Sequence, residues 1–323
     1  MSNNPLVTLL VLNWNGGELL QNCLNSLRNT KYSPIEILIV DNASTDNSIE
    51  IIKKYSEVRL IQNKENLGYA AGNNVGFRAA KGEYVVTLNN DIAVEPDWLD
   101  IPIAEMESNR SIGIVSCRQM NYFQRHIIDG LYQFPCPYLV FLNYGADLVY
   151  DPENPLHSEP GFVMGANGAS AIYRKSMLGE IGFFDETYFA YHEDCDLSFR
   201  AFLNGWNCLY LPSSVVYHMR SYSFKGKANS YNMYFERNRF RFILKNYSLL
   251  FILTRLPLLV YLEIRIFLGM LIRGSFRCYF NSRWFVLKNL KDMMKGEKMF
   301  PAHVRTAYYK FCKFKKVKTA PFI

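Results

Sequence analysis

Residues 6–44, LVTLLVLNWNGGELLQNCLNSLRNTKYSPIEILIVDNAS, decide the fold. Leu6 to Leu12 is a continuous apolar run of strand length that stops at Asn-Trp-Asn-Gly-Gly, the pattern of a strand buried on both faces and running into a loop. Leu19, Leu20, Cys23, Leu24 and Leu27 follow at spacings of three and four, which predicts a helix that Ser33-Pro34 breaks. Ile35 to Val40 reads as a second buried strand. Working outward, Asp46 or Ser44 is placed to cap a helix carrying Ile49, Ile51 and Ile52. Val58 to Ile61 reads as a third strand, Tyr69 to Ala80 as a helix and Tyr84 to Leu88 as a fourth strand. Strands alternating with helices predict an α/β fold with a parallel, doubly wound sheet, whose ligands lie beyond the carboxyl ends of the strands.

Polar residues gather at those ends: Asn13 and Asn15 after the first strand, Asp41 and Asn42 after the second, Asn63 and Asn66 after the third, and Asn89, Asn90 and Asp91 after the fourth. Asn, Asp and Gly are also ordinary turn residues. Four successive strands ending at one edge in amides and carboxylates nonetheless describe a polar pocket. Beyond it the alternation fades. Pro96 to Ser108 reads as a helix kinked or broken at Pro102, Ile112 to Ser116 as a strand, and 117–160 as aromatic, Pro-rich hairpins covering a cleft. Gly161 to Tyr173 reads as a loop entering a strand, and Glu193 to Leu203 as a helix.

A chain of 323 residues, 49% of them hydrophobic, buries a large core, which excludes a disordered protein and a small disulfide scaffold. Seven cysteines, an odd number with no CxxC pair, read as reduced core thiols in a cytosolic compartment. The polar start, without a basic n-region, predicts no signal peptide. The net charge of +7 divides unevenly: from Arg255 onward 15 Lys/Arg face 3 acids, a net of +12, and the preceding residues carry a net of −5. Such a tail faces something anionic, either nucleic acid or a membrane surface.

Two motifs carry chemistry. In Leu88-Asn89-Asn90-Asp91 a carboxylate beside amide oxygens suits a hard divalent cation completed by diphosphate oxygens, and His218, after two apolar stretches, is the candidate second ligand. A capped turn and a structural histidine account for the same residues. His192-Glu193-Asp194-Cys195-Asp196 packs three carboxylates into four positions before an apolar helical run; mutual repulsion raises a pKa toward that of a general base, while acids also favour a helix N-terminus. No GxxxxGK[ST], GxGxxG or GxSxG occurs, which speaks against a P-loop NTPase, a nicotinamide oxidoreductase and a serine hydrolase.

With these residues in view, the chain resembles family 2 glycosyltransferases, inverting enzymes of the GT-A fold, and particularly the rhamnosyltransferase-like branch that builds cell-surface polysaccharide. The resemblance rests on VTLLVLNWNGGELLQNCLNSL (7–27), VDNASTDNS (40–48), NKENLGYAAGNNVGFRAAKGEY (63–84), LNNDIAVEPDWL (88–99), GFFDETYFAYHEDCDLSFRAFLNGW (182–206) and VVYHMRSYS (215–223), in the family's order. It implies a sheet with a nucleotide-binding half and an acceptor half. Asp41 would accept the pyrimidine N–H, with Asn13, Asn15, Asn66, Gly72 and Asn90 completing the nucleotide site. Asn89-Asn90-Asp91 occupies the family's DxD position, so Asp91 would hold Mg²⁺ or Mn²⁺, with His218 and Asn89 beside it; Asn89 stands where the family has its first Asp. Asp194 matches the catalytic base, with Glu193 next to it and, together with Asp196, expected to raise its pKa. Gly165, Ala166, Asn167 and Trp206 would contact donor or acceptor.

The implied reaction moves a sugar from a nucleotide-sugar donor, dTDP-rhamnose or a UDP-sugar, to a hydroxyl of a glycan or polyprenyl-linked acceptor. A nucleotidyltransferase on a similar sheet and a non-catalytic scaffold are the competing readings. Residues 1–230 are expected to form the catalytic domain and 231–323 a basic helical region. Within the latter, RLPLLVYLEIRIFLGMLIR (255–273) is too often interrupted by charge to span a bilayer. At about 100° per residue its Arg255, Glu263, Arg265 and Arg273 fall in one arc of roughly 160°, which predicts a helix lying in a membrane interface or packing on protein. Beyond it Lys310, Lys313, Lys315, Lys316 and Lys318 interleave with Tyr308, Tyr309, Phe311 and Phe314, a pattern shared with nucleic-acid binders. An anionic, membrane-borne acceptor explains them without nucleic acid, so the expected location is cytoplasmic, peripheral on the inner face of the membrane.

Overall fold

The computed structural model describes residues 4–219 and 228–294; Lys310 to Lys318 and their aromatic neighbours lie outside the described residues. The described residues divide into two compact units, one reaching Tyr231 but lacking 135–141, the other made of 135–141 and the residues from Asn232 onward.

In the first unit β1 (Val7–Asn13), α1 (Gly17–Arg28), β2 (Ile35–Asp41), α2 (Ser48–Ile52), β3 (Val58–Gln62), α3 (Gly68–Ala79) and β4 (Tyr84–Asn89) alternate as the periodicity predicts. There follow β5 (Ile92–Val94), α4 (Asp100–Ser108), β6 (Ile112–Asn121), β7 (Ile128–Gly130), β8 (Tyr132–Pro135), β9 (Phe141–Tyr144), α5 (Pro155–Ser158), β10 (Gly161–Val163), β11 (Ser170–Arg174), α6 (Lys175–Ile181), α7 (Glu193–Leu203) and β12 (Asn207–His218). The main sheet runs β10-β12-β6-β11-β4-β1-β2-β3, with β5 on β12 and β7 on β6. Strands β1 to β4 are mutually parallel, as are β6 and β12, while β11 lies antiparallel between β4 and β6.

Both faces of this sheet are covered, which explains its unbroken apolar strands. Leu9 and Val11 pack with Leu20, Leu24 and Leu27 of α1, whereas Leu10 turns to the opposite face with Val40, Val85 and Phe77. Register then sets the edge: Asn13 lies opposite Asp41, Leu12 opposite Asn89, and Ser170 opposite Leu88.

Two local expectations change. Pro102 causes no kink, because α4 starts at Asp100 and places it in the first turn, where a backbone N–H has no helical acceptor. Asp46 does bond the Ser48 N–H at 3.0 Å, but Ser44 turns to Asp41 instead. The hairpins expected over 117–160 are present, as β7 beside β6 and β8 beside β9.

The second unit carries most of α8 (Ala228–Asn246), then α9 (Leu249–Thr254), α10 (Leu256–Ile272), α11 (Phe276–Lys288) and α12 (Leu290–Met293). Arg255 and Arg273 flank α10 as its caps, and Glu263, expected on an outward charged arc, points inward to Arg239 and Arg283. Helical periodicity locates a face; it does not show which neighbours lie against it. Among the described residues no helix is long and apolar enough to cross a membrane.

Candidate active site

Because Asn13 and Asp41 end adjacent strands in register, their side chains meet: Asn13 Nδ2 donates to Asp41 Oδ1 at 2.7 Å, and Asn90 Nδ2 donates to Asn13 Oδ1 at 2.8 Å. Ser44 donates its hydroxyl to Asp41 Oδ1 (2.6 Å) and its N–H to Oδ2 (2.9 Å), a local turn that fixes the carboxylate. A carboxylate offers about four acceptor positions. Three are filled, and the fourth, on Oδ2, suits an incoming N–H. The exposed Asn15 ties the loops together by accepting the Thr45 N–H at 2.7 Å. Asn66 accepts the Gly68 N–H at 2.9 Å and so orders the start of α3. Gly72 faces the sheet instead of a ligand: a Cβ there would meet Leu12 Cδ1 at 2.6 Å and Asn42 Nδ2 at 2.8 Å. Its small size sets the close approach of α3 behind the polar edge.

At the next strand, Asp91 sits in the tight turn from β4 to β5. Pairing of β5 with β12 places Ile92 opposite His218, bringing the two side chains together across 127 positions of sequence. His218 Nε2 lies 3.2 Å from Asp91 Oδ1, its Nδ1 lies 2.8 Å from Asp129 Oδ2, and Asn89 Nδ2 is 3.5 Å from Nε2. Burial alone would push the imidazole pKa down, but Asp91 and Asp129 outweigh it and lift it to about 10. Asp129, on β7, escapes sequence reasoning; a lone acid before Gly130 in an aromatic, Pro-rich region gives only a faint signal.

These donors suit a hard divalent ion. Two ligands at right angles, each about 2.1 Å from a metal, stand about 3 Å apart, and the Asp91–His218 separation is 3.2 Å. By accepting the Nδ1 proton, Asp129 fixes the ring so that Nε2 is the nitrogen facing Asp91, and a bound cation would take the place of the Nε2 proton. Among the described residues no group of three His, Cys, Asp or Glu side chains closes a metal site, so further ligands would come from a bound diphosphate and water.

Asp194 is the second residue of α7 and is held from three sides. Its Oδ2 accepts the Gly168 N–H (2.9 Å) and Gln133 Nε2 (2.8 Å), and its Oδ1 accepts the Cys195 N–H (2.8 Å). It remains half-buried, while Glu193 is 5% exposed and its Oε2 has no hydrogen-bond partner. Burial raises the Asp194 pKa against the downward pull of the Gly168 and Cys195 donors. Burial also drives Glu193 well above the carboxylate range, and the Asp194 charge adds to it. The upward shift expected at Asp194 therefore comes from burial. Asp196 is otherwise engaged, bonding Arg200 Nε at 2.9 Å.

The loop 165–170 links these parts. Its Gly168 N–H holds Asp194, the Gly168 carbonyl accepts Tyr69 Oη at 2.5 Å, and the next carbonyl, of Ala169, accepts the Asn89 N–H at 3.1 Å. Asn167 is half-buried, with its carbonyl bound by Gln119 Nε2 at 3.1 Å. Ala166 is wholly within the core, and Gly165 packs against Ser198 and Gln133, so neither presents a side chain to a ligand. Trp206 lies outside the site. It precedes β12, a 12-residue strand away from His218, and donates to Glu180 Oε2 at 3.2 Å at the opposite edge of the sheet. Its place at the end of the helix-to-strand turn is structural.

Comparison with known proteins agrees with this geometry. The family model described as glycosyl transferase family 2 matches residues 8–182, and one described as glycosyl transferase family group 2 matches 153–287. The N-acetylglucosaminyl-diphospho-decaprenol L-rhamnosyltransferase of Mycobacterium tuberculosis is 26% identical over 246 residues, covering 68% of this chain and 77% of its own. Among solved structures, S. aureus TarS 1–349 in complex with UDP aligns with TM-score 0.52 at 18% identity over 74% of this chain, which spans 64% of that one, a little under two thirds. The Pyrobaculum calidifontis mannosyltransferase PcManGT, in complex with GDP-Man and Mn²⁺, aligns with TM-score 0.54 at 16% identity over 98% of this chain and 82% of its own. The fold is that of GT-A glycosyltransferases. The chain is thus an enzyme, a member of glycosyl transferase family 2.

Proposed function

We propose that the protein transfers a sugar, with inversion, from a nucleoside-diphosphate sugar to a hydroxyl of a lipid-linked or cell-surface glycan acceptor. The observation that carries this reading is the loop connection: adjacent residues Gly168 and Ala169 bind the Asp194 carboxylate and the Asn89 backbone. That places an oriented carboxylate beside the edge where a diphosphate would lie. Asp41, with Asn13 and Asn90 behind it, would take the base of the nucleotide. Asp91 and His218, with Asn89 adjacent, would hold Mg²⁺ or Mn²⁺, whose charge stabilises a departing diphosphate. Asp194 would accept the proton of the acceptor hydroxyl as its oxygen attacks the anomeric carbon from the face opposite the nucleotide.

The relative's name favours a rhamnosyl donor, for which dTDP-rhamnose is the candidate, and a diphospho-polyprenol-linked acceptor; an acceptor of that kind would bring the enzyme to the inner face of a membrane. The test is turnover of dTDP-rhamnose and UDP-sugars on a synthetic lipid-linked N-acetylglucosamine, with the nucleotide product identified. Release of nucleoside diphosphate with an inverted product, and a fall of about 10²–10⁴ in kcat for Asp194→Asn at unchanged donor affinity, are expected. Release of pyrophosphate would replace the reading with nucleotidyl transfer, and undiminished Asp194→Asn turnover would remove Asp194 as base.

A further inference from the structure

The second unit buries Phe242, Tyr247, Phe251 and Met293, yet leaves much of α10 exposed and apolar. Counting about 100° per residue, the exposed residues of α10 fill an arc of roughly 200°, and Arg265 is the one charge among them. The rest of the arc is apolar, including Val260, Tyr261, Ile264, Leu268, Leu271 and Ile272, the last 86% exposed. No residue of this 17-residue helix is buried. Its inward side instead carries an acid: Glu263 accepts from Arg239 of α8 and from Arg283 Nη2 of α11 at 2.7 Å, and Arg283 also reaches Glu236 at 2.9 Å. The two guanidinium groups hold the Glu263 pKa down against burial, which raises it. An ionic cluster thus joins α8, α10 and α11 on one side of α10 while its other side presents an apolar arc.

The neighbouring helices add to that surface. On α11 Phe276, Phe280, Trp284 and Leu287 are exposed, and on α9 so are Leu249, Leu250 and Leu253. An apolar groove of about 410 Å³ runs beside α10, between residues including Ile243, Ile252, Leu256, Leu259 and Phe267. Apolar surface of this extent, on a unit whose described helices are too short or too polar to cross a membrane, marks an interaction site.

We propose that the α9–α11 face docks into the headgroup–acyl boundary of an anionic bilayer, without spanning it. Charge selects this occupant. Among the described residues from 249 to 294, Arg265, Arg273, Arg277, Lys288 and Lys291 are exposed cations and Asp292 is the one exposed acid. Two copies meeting through this face would set those cations against each other, whereas phosphate headgroups satisfy them. Aromatic placement agrees: Arg265 lies over the Tyr261 ring and Lys288 over Trp284, pairing amphipathic rings with cations as at a water–lipid interface. The surface extends the reading of a membrane-borne acceptor, but it is tested by binding alone, so either can fail without the other.

The experiment is co-sedimentation of the full chain with phosphatidylcholine vesicles, with and without phosphatidylglycerol, and its monomer–dimer state by analytical ultracentrifugation. Binding to the anionic vesicles is expected. The exposed-site variant Leu268→Asn/Ile272→Asn/Trp284→Ser, its folding checked by circular dichroism, should lose about tenfold or more in partitioning. Arg265→Glu with Lys288→Glu should lose roughly fivefold per residue, on anionic vesicles only. Unchanged partitioning of the apolar variant, or no wild-type binding at all, would overturn the proposal. So would a concentration-dependent dimer that this variant abolishes, which would assign the face to a second copy.

Discussion

Glu193→Gln isolates the electrostatic cost of the acidic start of α7. Glu193 is buried, its Oε2 lacks a hydrogen-bond partner, and its pKa stands well above the ordinary range through burial and then the Asp194 charge. The folded state therefore keeps this proton to higher pH than the unfolded chain does, and folding stability falls as pH rises. The stabilisation is fully present below the unfolded glutamate pKa of about 4.3 and is lost as pH climbs through the folded value, at no more than ~1.4 kcal/mol per pH unit for one proton. For a unit of this size that is roughly 3–6 °C of Tm per pH unit. Gln is nearly isosteric and cannot ionise, so Glu193→Gln should match the wild type near pH 4 and exceed it increasingly above. A shallower slope should remain, because Asp194 is raised as well and titrates together with its neighbour. The assay is Tm by differential scanning fluorimetry across a pH series. Curves for the two proteins that run parallel at every pH would refute the assignment of Glu193 as a proton-retaining buried acid.

Further outcomes follow from other contacts. Asp129→Asn should lower Mn²⁺ affinity, measured by electron paramagnetic resonance in the presence of UDP or dTDP, by about 10–100-fold, because the Asp129 carboxylate fixes His218 Nδ1 at 2.8 Å; unchanged affinity would separate Asp129 from the metal. Arg200→Ala should destabilise the first unit by about 3–5 kcal/mol in urea unfolding, since Arg200 donates to Asp196 and to the carbonyls of Ile181, Gly182 and Phe183, tying α7 to the turn after α6. Gly168→Ala should slow turnover with little effect on nucleotide binding, measured by kcat against donor Kd, because its Cβ would press on Asp194 Oδ2 at 3.1 Å.

How far the sequence discloses this site depends on what holds each part. Asn13, Asp41 and Asn90 are legible because parallel strands buried on both faces must end together, and register alone then joins their side chains. His218 and Asp91 are legible as residue types, but their meeting depends on β5, a three-residue strand too short to leave a periodic signal. Asp129 is hidden for the same reason on β7. Trp206 and Gly72 were drawn to the site by their place in matching segments. A segment matches for its packing as much as for its chemistry, and both residues belong to the packing.

The same distinction governs the second unit. Periodicity finds a helix at 255–273 and a charged side to it, yet the sign of that side, inward or outward, depends on Arg239 and Arg283, which come from other helices. A carboxylate between two guanidinium groups is well satisfied on the inward side of a helical unit, and Glu263 shares that side of α10 with Leu259, Leu262 and Ile266 while the opposite side stays exposed. The outward apolar arc is thus set jointly by Glu263, whose partners lie on α8 and α11, and by the apolar residues beside it: Glu263→Leu leaves Arg239 and Arg283 with Glu236 alone and should lower the urea-unfolding midpoint.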